Sequence, residues 1–124
     1  MESSKINIFI VDDDKEMLRL YSESFKLSGL NVIGKAENGI EALEKLINSI
    51  NKPDVIIMDY HMPKINGIEV SKMILSIYPS LKIIMISGDP SKREQALLNG
   101  ISDFYEKPYS LNMLCQKIKE ITSK

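Results

Sequence analysis

The residue best suited to carry out a reaction is Asp59, a carboxylate that directly follows the apolar run VIIM (residues 55–58). A short apolar run between turn residues predicts a buried parallel strand, although a buried helix segment gives the same pattern. If residues 55–58 form a strand, Asp59 lies at its carboxyl end, where open α/β sheets hold their functional sites. A carboxylate there could attack phosphorus and form an aspartyl phosphate.

Other polar side chains stand at the ends of predicted strands in the same way: Asp12 and Asp13 follow the first, Ser87 follows the fourth, and Lys107 comes at the end of the fifth. The second predicted strand ends in Ala36-Glu37-Asn38 and contributes nothing comparable. In the flavodoxin-like strand order 2-1-3-4-5 this second strand lies at an edge, so the four strands that carry the polar residues are neighbours. Their carboxyl ends would then converge on one small site.

Three carboxylates at one site would repel one another unless a cation shared them. Oxygen ligands favour a hard ion such as Mg²⁺ or Mn²⁺, and Mg²⁺ takes one or two carboxylates together with waters and phosphate oxygens. Phosphoryl transfer to Asp59 would build charge on oxygens that need positive or hydrogen-bonding partners. The ammonium group of Lys107 and the hydroxyl of Ser87 could supply these partners beside the metal.

The elements that must position these residues alternate along the chain. Predicted strands cover residues 6–11, 30–36, 55–58, 82–86 and 102–106. A predicted helix follows each strand: residues 15–27, from 38 through 47, from 68 to about 77, from 90 to about 100, and from 111 to 121. Right-handed crossovers leave few other arrangements, so the pattern predicts an α/β, doubly wound fold with a five-stranded parallel sheet and helices on both faces.

Capping residues set the predicted helix boundaries. Asp14, Asn38, Asp89 and Ser110 are the expected N-caps. Asn38 followed by Glu41 resembles a capping box, and Pro90 fits the first position of the fourth helix.

Composition predicts one domain over residues 1–124. The chain is 44% hydrophobic and 27% charged with a formal net charge of −1, which gives no reason to expect nucleic acid or an anionic membrane as a direct partner. No apolar run is long enough to cross a membrane, and the N-terminus does not resemble a signal peptide. The single cysteine, Cys115, excludes an internal disulfide, so we expect a cytoplasmic protein.

With these residues in place, the chain resembles the receiver domain of two-component response regulators. The resemblance covers essentially all 124 residues and rests on VDD at 11–13, MDYHMP at 58–63, ISG at 86–88 and KP at 107–108. Each motif is weak alone, but the four in order and at domain-scale spacing are specific. The resemblance implies a signalling domain that catalyses its own phosphorylation and dephosphorylation, not a turnover enzyme.

The resemblance implies roles around the phosphate. Asp59 is the expected phosphoacceptor. Asp12 and Asp13 are the expected acidic pair for Mg²⁺, with the backbone carbonyl of His61 as a further ligand. Lys107 would contact the phosphoryl group, and the bond that joins it to Pro108 would be cis. The phosphate donor would be a histidine kinase or a histidine phosphotransfer protein.

The resemblance also implies a switch. Ser87 matches the switch hydroxyl, where Thr is commoner, and Phe104 matches the aromatic residue that turns inward on phosphorylation. Together they would reshape the surface of the fourth helix, fifth strand and fifth helix for an unknown downstream protein target. The side chains of His61 and Asp89 match positions that tune phosphate lifetime. The charges on the last two helices do not decide whether phosphorylation produces a homodimer.

Several alternatives stay open. The aspartates at 12–14 could be an acidic helix start favoured by the dipole, which is the preferred explanation for Asp14 alone. An aspartate-nucleophile phosphatase places a second carboxylate where this chain has His61. A flavodoxin-like FMN domain needs a Gly/Ser/Thr-rich phosphate cradle where this chain has three aspartates. A degenerate receiver that only binds proteins is disfavoured because every reacting position is filled.

Overall fold

The computed structural model describes residues 5–107 and 110–123, and within them five strands alternate with five α-helices. The strands are β1 (Asn7–Val11), β2 (Asn31–Ala36), β3 (Val55–Asp59), β4 (Lys82–Ser87) and β5 (Asp103–Glu106). The helices are α1 (Lys15–Leu27), α2 (Gly39–Asn48), α3 (Gly67–Ile77), α4 (Arg93–Leu98) and α5 (Leu111–Thr122), with a 3-10 turn at Pro90–Lys92.

The strands form one parallel sheet in the order β2-β1-β3-β4-β5. This order confirms the predicted doubly wound, flavodoxin-like α/β fold. The register brings the strand ends level, because Val11 pairs with Met58 and Asp59 pairs with Ile86. The residues that follow β1, end β3 and end β4 therefore share one edge of the sheet.

Alternating residues of the strands feed two separate cores, one on each face of the sheet. On β3 the side chains of Ile56 and Met58 join the core covered by α2, α3 and α4. The side chains of Val55 and Ile57 join the core covered by α1 and α5. All five residues of β3 are buried, as expected for the central strand of a parallel sheet with helices on both faces.

Helix α4 begins later than predicted. Asp89 does act as an N-cap with Pro90 at the first position, but these residues cap the 3-10 turn. Lys92 and Arg93 donate their backbone N–H groups to the carbonyls three residues earlier, and α4 then runs only from Arg93 to Leu98. Tight turns of this kind are frequent at helix N-termini and leave no periodicity signal in so short a segment.

The capping boxes also differ from the prediction. The Asn38 side chain accepts from the backbone N–H of Glu41, but the Glu41 carboxylate accepts from the N–H of Glu37, so the box is incomplete. A complete capping box instead joins Asn66 and Glu69 at the start of α3. Of the helices that the structure describes, none has both the length and the apolar character needed to span a membrane.

Candidate functional site

Asp59 is held at the carboxyl end of β3 by the close approach of α3. The backbone N–H of Gly67 donates to the carbonyl of Tyr60 at 2.8 Å. A Cβ atom on Gly67 would lie 2.4 Å from the carbonyl oxygen of Asp59, so only glycine lets the helix begin this close to the strand. Asp59 itself is only 4% exposed. Its carboxylate therefore sits on a rigid strand end.

Asp12, Asp13 and Asp59 form an acidic cluster, with one oxygen of each carboxylate within 4.8 Å of the others. Asp12 is 2% exposed, whereas Asp13 is exposed. One oxygen of Asp12, Oδ1, accepts from the backbone N–H of Asp14 at 2.9 Å. The other, Oδ2, is buried and has no hydrogen-bond partner among the described residues. A buried carboxylate oxygen without a partner is costly, and a hard cation held at this cluster would satisfy it.

The pKa values of Asp12 and Asp59 reflect the burial of both carboxylates. Burial raises the pKa of Asp12 to about 6, and the neighbouring charge of Asp59 adds to the effect. Burial also raises the pKa of Asp59, while the positive charge of Lys107 opposes the increase. The two buried carboxylates thus resist full ionisation together, and a divalent cation would remove that resistance.

Lys107 has its ammonium group beside Asp59, and it is the one basic residue paired with Asp59 among the described residues. Its Nζ lies 3.2 Å from Asp59 Oδ1, and its backbone N–H donates to the carbonyl of Ser87 at 2.8 Å. This backbone bond extends the pairing of β5 with β4 and fixes where the Lys107 side chain leaves the sheet. Pro108, where a cis bond is predicted, lies outside the described residues.

Ser87 lies at the same edge of the sheet, at the end of β4, and is 1% exposed. Its hydroxyl oxygen accepts from the backbone N–H of Asp89 at 3.0 Å. Phe104 on β5 is also buried, with 3% exposure. The two residues predicted to form the switch thus occupy neighbouring strands behind the acidic cluster.

The residues predicted to tune phosphate lifetime have other contacts in the structure. The Asp89 carboxylate accepts from the backbone N–H and the hydroxyl of Ser91 at 3.0 and 2.7 Å, and these bonds lower the pKa of Asp89. His61 is exposed, and its ring packs edge-on against Tyr60 with centroids 4.8 Å apart. His61 lies two residues after Asp59 and Asp89 two residues after Ser87, and the contact that the structure shows for Asp89 is that of a cap.

Two basic residues near the site were missed in the sequence. Lys92 Nζ lies 5.5 Å from the centroid of the Tyr60 ring. Arg93 donates from Nη1 to the carbonyl oxygen of Phe104 at 2.9 Å. In the sequence these residues look like ordinary solvated positions at a helix start, and only their partners on distant strands distinguish them.

A parallel α/β sheet with an acidic cluster and a lysine at its carboxyl edge defines a domain suited to phosphoryl transfer onto a carboxylate. The family model for the response regulator receiver domain matches residues 8–119. The chain belongs to this family of two-component signalling domains, and its acidic cluster is of the kind that receiver domains use to bind Mg²⁺ and accept phosphate.

Similar proteins include both small and large members of the family. The chain is 34% identical to the chemotaxis protein CheY of Thermotoga maritima, over 93% of this chain and 96% of that protein. It is 37% identical to a protein-glutamate methylesterase/protein-glutamine glutaminase of Bacillus subtilis, over 93% of this chain but only 33% of that enzyme. A solved complex of CheX, CheY, BeF3 and Mg²⁺ from Borrelia burgdorferi contains a chain with 29% identity and a TM-score of 0.88, which covers 96% of this chain and 90% of that one.

Proposed function

We propose that this domain accepts a phosphoryl group on Asp59 from a histidine kinase or a histidine phosphotransfer protein. The observation that carries the proposal is the convergence of three strand ends on one carboxylate. The oxygens of Asp12, Asp13 and Asp59 lie within 4.8 Å of one another, and Lys107 Nζ lies 3.2 Å from Asp59 Oδ1. This arrangement pairs a nucleophile with the charges that phosphoryl transfer needs.

In the proposed reaction an oxygen of the Asp59 carboxylate attacks phosphorus. The bond between phosphorus and the donor imidazole breaks, and its electron pair stays on the departing nitrogen. Asp12 and Asp13, with Asp59 and the carbonyl of His61, would hold Mg²⁺ or Mn²⁺, which neutralises charge on the phosphoryl oxygens. Lys107 would stabilise the remaining negative charge, because its Nζ already lies beside Asp59.

The phosphoryl group is later removed by water, which regenerates the carboxylate. We propose that His61 and Asp89 affect how fast this water reacts, since they lie two residues after Asp59 and Ser87 respectively. The domain therefore modifies itself and does not turn over an external substrate. The predicted single domain over residues 1–124 and the predicted cytoplasmic location are part of the same proposal.

The proposed output is a change in the surface formed by α4, β5 and α5. The phosphoryl group can favour this change only by the difference in its binding to the two arrangements. Ser87 and Phe104 are the residues proposed to take part, and their burial on β4 and β5 supports this. The partner would be a protein that binds one arrangement better than the other.

The decisive experiment is intact mass spectrometry after incubation with Mg²⁺ and acetyl phosphate. Wild type should gain one phosphoryl group, and Asp59→Asn should gain none, since the amide is not a nucleophile. An EDTA control should also remain unmodified. Absence of labelling in wild type with acetyl phosphate or phosphoramidate would contradict the proposal and favour a receiver that only binds proteins.

A further inference from the structure

Two adjacent basic side chains at the start of α4 lie over aromatic rings, one directly after β3 and one on β5. Lys92 Nζ lies 5.5 Å from the centroid of the Tyr60 ring, and Tyr60 directly follows Asp59. The guanidinium carbon of Arg93 lies 5.9 Å from the centroid of the Phe104 ring. A cation within about 6 Å of a ring face is attracted to it. The junction between the 3-10 turn and α4 thus contacts the residue that follows β3 and a residue of β5.

Arg93 holds Phe104 in a second way. Its Nη1 donates a hydrogen bond of 2.9 Å to the carbonyl oxygen of Phe104, so one side chain contacts both the ring and the main chain of the same residue. A planar guanidinium with several donors suits this double contact, whereas a lysine ammonium is a single point charge. Arg93 is exposed and Phe104 is 3% exposed, so a surface side chain contacts a buried residue.

The rest of α4 contributes little to its attachment. The helix has six residues, and among the described residues no side chain caps it. Ala96 is its one buried residue, while Leu97 and Leu98 are 41% and 80% exposed. The Arg93 contacts therefore add to the packing of Ala96, which shares a core with Phe104.

We propose that Arg93 is a positioning residue that latches Phe104 in its buried position. The inference rests on the proposed phosphorylation of Asp59 and describes its regulation. If the phosphoryl group favours the buried ring, then an interaction that holds the ring buried also strengthens phosphoryl binding, because coupling between two sites is reciprocal. Arg93 thereby biases the domain toward the phosphoryl-bound arrangement.

The test uses the three phenylalanines of the chain, Phe9, Phe25 and Phe104. Biosynthetic labelling with fluorophenylalanine gives one ¹⁹F resonance for each, and the buried rings of Phe9 and Phe25 are internal references. Solvent exposure of each ring is read from the difference in chemical shift between H₂O and D₂O. The variants are Arg93→Ala, Arg93→Lys and, as a matched control, Arg19→Ala, which removes the other arginine of the chain.

Before any phosphoryl mimic is added, we expect Arg93→Ala to raise the solvent sensitivity of the Phe104 resonance and leave the two references unchanged. Arg93→Lys should lie between wild type and Arg93→Ala. Titration with beryllofluoride in Mg²⁺ should then show affinity about fivefold weaker in Arg93→Ala and unchanged in Arg19→Ala. Circular dichroism of each variant confirms that it is folded.

Three results would overturn the latch: an unchanged Phe104 resonance in Arg93→Ala, equal shifts at all three phenylalanines, or a lysine variant no different from the alanine variant. Failure of the mimic to bind wild type would instead contradict the proposed function. The comparison without mimic would still test the latch in that case, so the two failures are distinguishable.

Discussion

At the scale of single residues, the site holds a carboxylate, that of Asp12, in a buried position that is unfavourable for its charged form. Asp12 Oδ2 is buried without a hydrogen-bond partner among the described residues, and burial raises the pKa of Asp12 to about 6. The folded protein therefore holds a carboxylate in a place that disfavours its ionised form. Such a cost is typical of residues retained for function and not for stability.

The first prediction concerns the replacement Asp12→Asn without metal. Raising a carboxyl pKa from 3.8 to about 6 corresponds to about 3 kcal/mol. The folded state binds the proton more tightly than the unfolded state, so this carboxyl destabilises the fold as pH rises from about 4 to 6. We expect Asp12→Asn to gain about 1–2 kcal/mol in EDTA at pH 7, because the buried amide keeps part of the cost, and to gain nothing below pH 4.

Urea unfolding of both proteins at several pH values measures this difference. A gain that is the same at pH 4 and pH 7 would show that the charge of Asp12 is not its cause. Asp14→Asn is a useful control, because Asp14 is exposed and caps α1.

The second prediction concerns Lys64, which has a positive φ of 73° in the loop between β3 and α3. A residue with a Cβ atom is strained in this region by about 1–2 kcal/mol. Lys64→Gly should therefore stabilise the fold by about 0.5–1 kcal/mol after the greater freedom of glycine in the unfolded chain is included. Thermal unfolding measures the change, and Lys64→Ala, which removes the charge but keeps the strain, should not reproduce it.

At the scale of elements, the start of α3 controls the position of Asp59. The capping box of Asn66 and Glu69 fixes the first turn, and Gly67 lets that turn lie against the carbonyl of Asp59. The loop after β3 is thus closed by contacts that do not involve the reacting atoms. Substitutions in the first turn of α3 should therefore still shift the position of Asp59.

The third prediction follows from that contact. Gly67→Ala would place a Cβ atom 2.4 Å from the Asp59 carbonyl oxygen, so the strand end or the helix must shift. We expect a loss of about 2–4 kcal/mol in stability and slower labelling of Asp59 by acetyl phosphate. Gly88→Ala is the matched stability control, because no described atom lies within 4 Å of its Cβ position. Equal losses in both variants would count against the close approach as the cause.

The sequence predicted the elements better than their edges. The order of strands and the burial of β3 follow from apolar runs and right-handed crossovers, and the residues of the acidic cluster follow from their places after those runs. The late start of α4 did not follow, because Pro90–Lys92 has the same capping signals whether it forms a 3-10 turn or an α-helix. The contacts of Lys92 and Arg93 depend on side-chain directions across three strands, which no local pattern contains.

At the scale of the whole molecule, metal binding at the acidic cluster would be coupled to folding. A ligand that binds only the folded state stabilises it, by about 2.7 kcal/mol at 100 times its dissociation constant. As the fourth prediction, Mg²⁺ should raise the thermal midpoint of wild type, and Mn²⁺ should do the same. Asp12→Asn should lose most of this increase, whereas a similar increase in that variant would place the ion elsewhere.

The two cores have a consequence for how such a domain diverges. Each site residue lies at or just after the end of a strand whose side chains pack into the two cores, whereas the outer faces of the helices carry exposed side chains that lie outside those cores. Mutations on those faces can accumulate without moving the carboxylates. Such a domain can be used alone or within a larger protein, which fits the matches over 96% of a CheY and 33% of a methylesterase. Substitutions on the helix surfaces can change which proteins the domain binds while the carboxylates keep their positions.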